Sequence, residues 1–229
     1  MFVINCVKGL IKTKNSTVEK IEELIERYPE LKNCRADLNS AVEKICNSFS
    51  NGNKILICGN GGSASDSLHI VGELMKGFNL PRKIEDFNKN FVEDAEKLFP
   101  DDINYFKKNL QCALPAISLV GESALNTAVA NDNAADLIFA QQVLGLGKRG
   151  DILLAISTSG NSANVLYAAK VAKVLGLEII SLTGRSGGKL KNISDVTICA
   201  PADSAYTIQE FHLPIYHALC IAAENEFFG

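Results

Sequence analysis

The chain has 229 residues, 47% of them hydrophobic and 21% charged, with a formal net charge of −3. That length can bury one core of moderate size. The interspersed charges form no basic stripe for a nucleic acid, and no apolar run reaches the ~18 residues of a membrane span.

Seven cysteines, at positions 6, 34, 46, 58, 112, 199 and 220, include no C-x-x-C pair. The odd count, with several inside apolar runs, points to reduced and mostly buried thiols in a cytoplasmic protein, not to a disulfide framework. The opening stretch MFVINCVKGLIKTKN lacks the basic-then-apolar order and small-residue cleavage site of a secretory signal.

Helical periodicity follows. STVEKIEELIERYPELKN sets Val18, Ile21, Leu24 and Ile25 on one stripe with Ser16 as its cap, and ADLNSAVEKICNSFSNG repeats the pattern and stops at Gly52. These helices, within residues 1–52, need a surface to lie against, either the chain's own core or a partner subunit.

From residue 53 short apolar runs alternate with helical stretches. The expected strands are 54–59, 116–121, 151–157, 178–184 and 195–200. Runs apolar on both faces and separated by helices such as SANVLYAAKVAKVLG predict a parallel sheet covered on both sides, a doubly wound α/β sandwich. The segment 82–111 breaks this rhythm: it is charged and weakly helical, is divided by Pro100, and reads as an inserted helical hairpin or lid.

Ligands of such sheets bind beyond the carboxyl ends of the strands, so the loops there carry the chemistry. After the first strand comes CGNGGSASDSLH, where glycines admit close approach and Ser63 stands near a helix start whose free N–H groups favour an anion. It matches neither the dinucleotide fingerprint nor a P-loop. After the third comes AISTSGNSANV, with hydroxyls at Ser157, Thr158, Ser159 and Ser162. Two hydroxyl-rich loops after parallel strands suit a phosphate monoester, whereas a helix cap needs only one such residue.

The histidines are His69, His212 and His217. HIVGE places His69 and Glu73 one helical turn apart. QEFHLPIYH places Gln209, Glu210, His212 and His217 on the last helix, with Gln209 and His217 roughly 80° apart around its axis, and Pro214 is expected to kink it. This set suits acid–base transfer of a proton between adjacent sugar carbons, or a divalent ion that polarises a carbonyl.

CGNGGSASDSLHIVGEL, AISTSGNSANV and IQEFHLPIYH, in that order, resemble the sugar isomerase (SIS) domain family, and within it the bacterial phosphoheptose isomerases, over residues 16–229 apart from 82–111. The resemblance implies a single flavodoxin-like domain over 1–229: a five-stranded parallel sheet between helical layers, with two N-terminal helices and a helical insertion. It implies a homotetramer with shared active sites, which would partner the N-terminal helices. The implied reaction is aldose–ketose isomerisation of sedoheptulose 7-phosphate through an enediol.

By position, the resemblance assigns phosphate contacts to Ser63, Ser157, Thr158, Ser159 and Ser162. Asn60, Gly61, Gly62, Asn131, Asp132 and Gln209 would line the substrate. Glu73 and His217 match the acid–base pair, and His69, Glu73, Gln209 and His217 match a zinc site.

Three features depart from the family pattern. Lys76-Gly77 stands where the family has Gly-Arg, Ala205-Tyr206-Thr207 precedes the Gln-Glu pair, and residues 82–111 follow the helix of Glu73. They leave the particular sugar open. The alternative is a non-catalytic SIS module that binds a phosphosugar or a protein partner; such a module needs the hydroxyl loops but not Glu73, Gln209 and His217.

Overall fold

The computed structural model describes residues 13–229. The opening apolar stretch with Cys6 lies outside the described residues. Helix α1 (Asn15–Arg27) is followed by a 3₁₀ turn and helix α2 (Arg35–Ser50), then strand β1 (Ile55–Cys58) and helix α3 (Gly62–Met75). The short α4 (Ile84–Phe87), α5 (Lys89–Leu98) and α6 (Ile103–Asn109) precede β2 (Ala116–Ser118). Helix α7 (Ser123–Val129) runs into a π-helical turn, Ala130–Ala134, and is followed by α8 (Ile138–Leu146) and β3 (Ile152–Ile156). Helix α9 (Ala163–Leu175), β4 (Glu178–Thr183), β5 (Val196–Cys199) and α10 (Ala205–Phe228) complete the chain.

The five strands form one sheet in the order β2-β1-β3-β4-β5, and every pairing is parallel. This is the flavodoxin-like order, whose switch point lies between β1 and β3. Side chains alternate between the sheet's faces. Ile55, Ile57, Leu154, Ile156 and Ile180 enter a core with α1, α2, α3 and α10. Leu56, Cys58, Leu153, Ala155 and Ile179 enter a second core with α8 and α9. The expected five-stranded, doubly wound α/β sandwich is therefore the architecture.

The N-terminal helices find their partner within the chain, because Ile21, Leu24 and Ile25 of α1 bury against α10. Two local expectations are corrected. The helix starts at Asn15 with Lys14 as its uncapped N-cap, so Ser16 lies inside the first turn, where its Oγ accepts from Asn225 Nδ2 at 2.9 Å. Val18 is 37% exposed, and the buried position beside it is Thr17, whose hydroxyl donates to Glu226 Oε2 at 2.8 Å. A hydroxyl with a buried carboxylate partner displaces an apolar residue from the stripe.

Helix α10 runs unbroken through Pro214. Residues 82–111 leave and rejoin the body through an antiparallel bridge between Lys83 and Gln111. Between these feet α5 and α6 flank the turn at Pro100, and Ile84, Ala95 and Ile103 are the buried anchors. The described cysteines are free thiols. Burial pushes Cys34 up to about 11 and Cys58 up to about 12, which keeps both protonated at neutral pH. Among the described residues no helix is long and apolar enough to cross a membrane.

Candidate active site

The two hydroxyl-bearing loops leave β1 and β3 side by side, at the switch point. They are tied together by a reciprocal amide pair: Asn60 Nδ2 donates to Asn164 Oδ1 and Asn164 Nδ2 to Asn60 Oδ1, each at 2.9 Å. Ser63 and Ser157 are buried, Thr158 and Ser162 half-buried and Ser159 exposed, so the hydroxyls are graded from the sheet outwards. Ser157 and Ser162 meet Oγ to Oγ at 3.0 Å, and Ser159 Oγ accepts the Asn161 N–H at 3.1 Å.

The β3 loop is braced from behind. Gly184 N–H donates to Thr158 O at 2.8 Å, Leu190 N–H to Gly160 O at 3.0 Å and Lys189 N–H to Asn161 Oδ1 at 3.1 Å. With α3 and α9 starting beside these hydroxyls, the two loops present neutral donors and helix-start amides, which suit a phosphate ester.

Helix α10 crosses this mouth. A Cβ on Gly62 would lie 2.5 Å from Gln209 Nε2, so the absence of a side chain at Gly62 lets the Gln209 amide rest on the glycine loop. Two turns further along α10, His217 meets α3, its ring centroid 5.0 Å from that of His69 and edge-on to it. His69 Nε2 lies 3.0 Å from Glu73 Oε1, and its Nδ1 is 2.9 Å from the Tyr216 hydroxyl. Glu73 is 14% exposed and His69 43%.

His217 is held below the usual histidine range by burial first and by the neighbouring His69 and Arg27, while the Glu73 carboxylate pulls the other way. Its Nε2 is buried with no hydrogen-bond partner. A cleft of about 230 Å³ between α1 and α10, lined by Lys20, Arg27, Tyr28 and Leu213, opens onto this ring.

The structure thus brings His69, Glu73, Gln209 and His217 to one seam between α3 and α10, beside the two loops. Asn131 and Asp132 lie exposed on the π-helical turn, and the Asn131 amide donates to Asp132 Oδ1 at 2.8 Å. Glu210 is exposed. Lys76, at the position of the family's Gly-Arg, is exposed and donates to Gly77 O at 3.2 Å.

His69, Glu73, Gln209 and His217 include the nitrogen and oxygen donors that zinc takes, and the unpartnered Nε2 of His217 is a free ligand atom. Among the described residues no three His, Cys, Asp or Glu side chains are already drawn into a metal-holding group. His69 has both ring nitrogens occupied, by Glu73 and Tyr216. Sequence reasoning missed Tyr216 and Asn164, since each acts through a partner more than 100 residues away in the chain.

His212 belongs to the core. It is fully buried, its Nε2 lies 3.2 Å from Thr183 O, and burial lowers its pKa to about 4. The folded pKa lies below the ordinary 6.5, so the stability it supports is complete above pH 6.5 and declines as pH falls towards 4. At roughly 1.4 kcal/mol per pH unit the decline amounts to about 3 kcal/mol. His212→Gln, which keeps a donor for Thr183 O but cannot titrate, is expected to flatten urea midpoints between pH 7 and pH 4.5. Equal acid loss in both proteins would contradict this account.

The SIS domain model matches residues 18–86 and 93–184. The chain belongs to the SIS domain family. Its SIS relatives include the phosphoheptose isomerase of Helicobacter pylori strain P12, 39% identical over 91% of each chain. That of Clostridium acetobutylicum is 35% identical over 98% of this chain and 96% of the relative. Among solved SIS structures, the phosphoheptose isomerase of Francisella tularensis superposes with a TM-score of 0.69 at 32% identity, covering 91% of this chain and 98% of that one. The Neisseria gonorrhoeae enzyme gives 0.67 at 30%, covering 92% and 94%. The SIS match skips residues 87–92, inside the 82–111 excursion.

Proposed function

We propose that this chain is an aldose–ketose isomerase that interconverts sedoheptulose 7-phosphate and a heptose 7-phosphate in the cytoplasm. The observation that carries the reading is the seam at which His69 meets both Glu73, at 3.0 Å, and the His217 ring, with Gln209 of the same helix as His217 resting on the glycine loop. The relatives at 35–39% identity that are named phosphoheptose isomerase support the choice of substrate.

The phosphate of the sugar is seated among Ser63, Ser157, Thr158, Ser159 and Ser162 and the first amides of α3 and α9. The carbonyl end then extends along the glycine loop past Asn60, Gly61, Gly62 and Gln209 to Glu73. Asn131 and Asp132 line the outer rim. The Glu73 carboxylate takes a proton from C1 of the ketose and, once the carboxyl proton has exchanged with solvent, delivers one to C2 of the enediol. His217, kept neutral by its lowered pKa, moves the second proton from O1 to O2. A zinc ion, when bound, would be held by His69, Glu73, Gln209 and His217 and would supply Lewis-acid polarisation of the carbonyl.

The protein works as a homotetramer with shared sites. The open cleft between α1 and α10 beside His217 supports this reading, because a neighbouring subunit could cover it. Incubation of the purified protein with sedoheptulose 7-phosphate in D₂O, followed by NMR, is expected to give an aldose deuterated at C2. Phosphosugar binding with neither turnover nor exchange would make the chain a non-catalytic SIS module. No turnover across a broad panel of phosphosugars would end the isomerase reading.

A further inference from the structure

Behind the seam lies a second polar cluster that solvent does not reach. Arg82 and Glu224 are both fully buried, and Arg82 Nε donates to Glu224 Oε1 at 2.8 Å. The Glu224 carboxylate also accepts the backbone N–H groups of Phe78 at 2.8 Å, Asn79 at 2.7 Å and Leu80 at 3.0 Å. Arg82 directs its other nitrogens at the end of α3: Nη1 donates to Leu74 O at 2.7 Å and Nη2 to Glu73 O at 3.2 Å. Its guanidinium lies 4.8 Å from the centre of the Phe228 ring. Its own carbonyl accepts the Cys112 N–H at 2.7 Å, at the foot of the 82–111 excursion.

The last carbonyls of a helix have no partner within it, and a cation is favoured there. Arg82 meets both needs, on the turn that carries Glu73. Removing two charges from water is costly, and well-packed apolar residues in their place are often at least as stabilising. Stability alone therefore does not require this pair. What a guanidinium adds is a planar fork with fixed directions. Glu224 lies seven residues beyond His217, and residues seven apart share a helix face, so the anchor for α3 stands on the His217 face of α10.

We propose that Arg82, held by Glu224, is a positioning residue that sets where the Glu73 carboxylate stands relative to His217. The inference rests on the isomerase reading of the same site. Arg82 touches no substrate; it grips the backbone of the residue that does. An error of about 1 Å in such a group can cost on the order of 100-fold in rate.

The test compares Arg82→Lys and the charge-free pair Arg82→Met/Glu224→Met, each in the wild-type and the Glu73→Gln background, in the full chain with sedoheptulose 7-phosphate. Lys keeps the charge but cannot serve Glu224 and two carbonyls at once. The double variant leaves no charge buried alone. In the wild-type background kcat is expected to fall roughly 30- to 100-fold, with KM within about threefold. In the Glu73→Gln background neither change is expected to lower the residual rate further, because the group being positioned is gone.

An unchanged kcat in both variants would overturn the proposal. So would a loss that multiplies with Glu73→Gln, or variants of both kinds that fail to fold by thermal melting, since the pair would then serve stability alone. Wild-type turnover by Glu73→Gln itself would instead remove Glu73 as the base, and no turnover by the unmutated chain would bring down the isomerase reading; both results are distinguishable from failure of the Arg82 role.

Discussion

Glu73→Gln is expected to leave the fold intact and lower kcat by about 1,000-fold, within the range for loss of a general base. The replacement is isosteric and its Oε1 can still face His69 Nε2, which lies 3.0 Å from the native carboxylate. Packing along the α3–α10 seam is therefore preserved, and only the capacity to take a proton from carbon is removed. Exchange of the C2 hydrogen with solvent should vanish in parallel with turnover. Glu73→Asp keeps the base but withdraws it by one methylene, and should retain activity between the two, about 100-fold below wild type. Steady-state kinetics, deuterium exchange and a thermal melt on the same preparations decide the matter. Wild-type kcat in the Gln variant would mean that another group moves the proton.

Gly160→Ala is expected to have the second-largest effect, on both stability and affinity. Gly160 sits at φ +64°, and a Cβ there would lie 2.1 Å from Gly187 O and 2.6 Å from Gly187 C. These are backbone atoms, so no side chain can swing aside to make room. Left-handed strain costs an alanine about 1 kcal/mol, and with the forced shift of the loop the total should reach roughly 3 kcal/mol. For a chain of this size that is a fall in Tm of about 6–12 °C. Because Ser157, Ser159 and Ser162 ride on the displaced loop, KM should rise at least tenfold. Gly52→Ala is the control: it has the same backbone strain, at φ +75°, but nothing within 4 Å of a Cβ and no part in the loops. It should cost about 1 kcal/mol and leave KM unchanged. Equal KM values for the two variants would separate the β3 loop from substrate binding.

The sheet is legible in the sequence because its strands are buried on both faces. Runs such as ILIC and ILLAI leave no alternation to mistake for an exposed strand, and each observed strand falls within its expected span. The loops are legible because glycines and clustered hydroxyls at strand ends have few other uses. His69 and Glu73 follow from one helical turn of spacing.

What could not be read depends on packing between distant segments. Arg82 stands at the edge of a charged stretch and looks like another solvated cation until α10 brings Glu224 over it. Glu224 carried a faint signal, as an acidic residue within the apolar run ALCIAAENEFF. The exchange of Val18 for Thr17 in the buried stripe required the position of Glu226, 209 residues away from Thr17 in the chain. Asn164 looked like one more helix-start residue, and its pairing with Asn60 appears only when β1 and β3 lie side by side.

That amide clasp, together with the brace from Leu190 N–H to Gly160 O, fixes in advance the loops that we propose as the phosphate seat. Fixing a residue's backbone costs roughly 1–2 kcal/mol, and here the cost is incurred while the protein folds. On that proposal an arriving ester meets loops already in place, and little of its contact energy is diverted to ordering them.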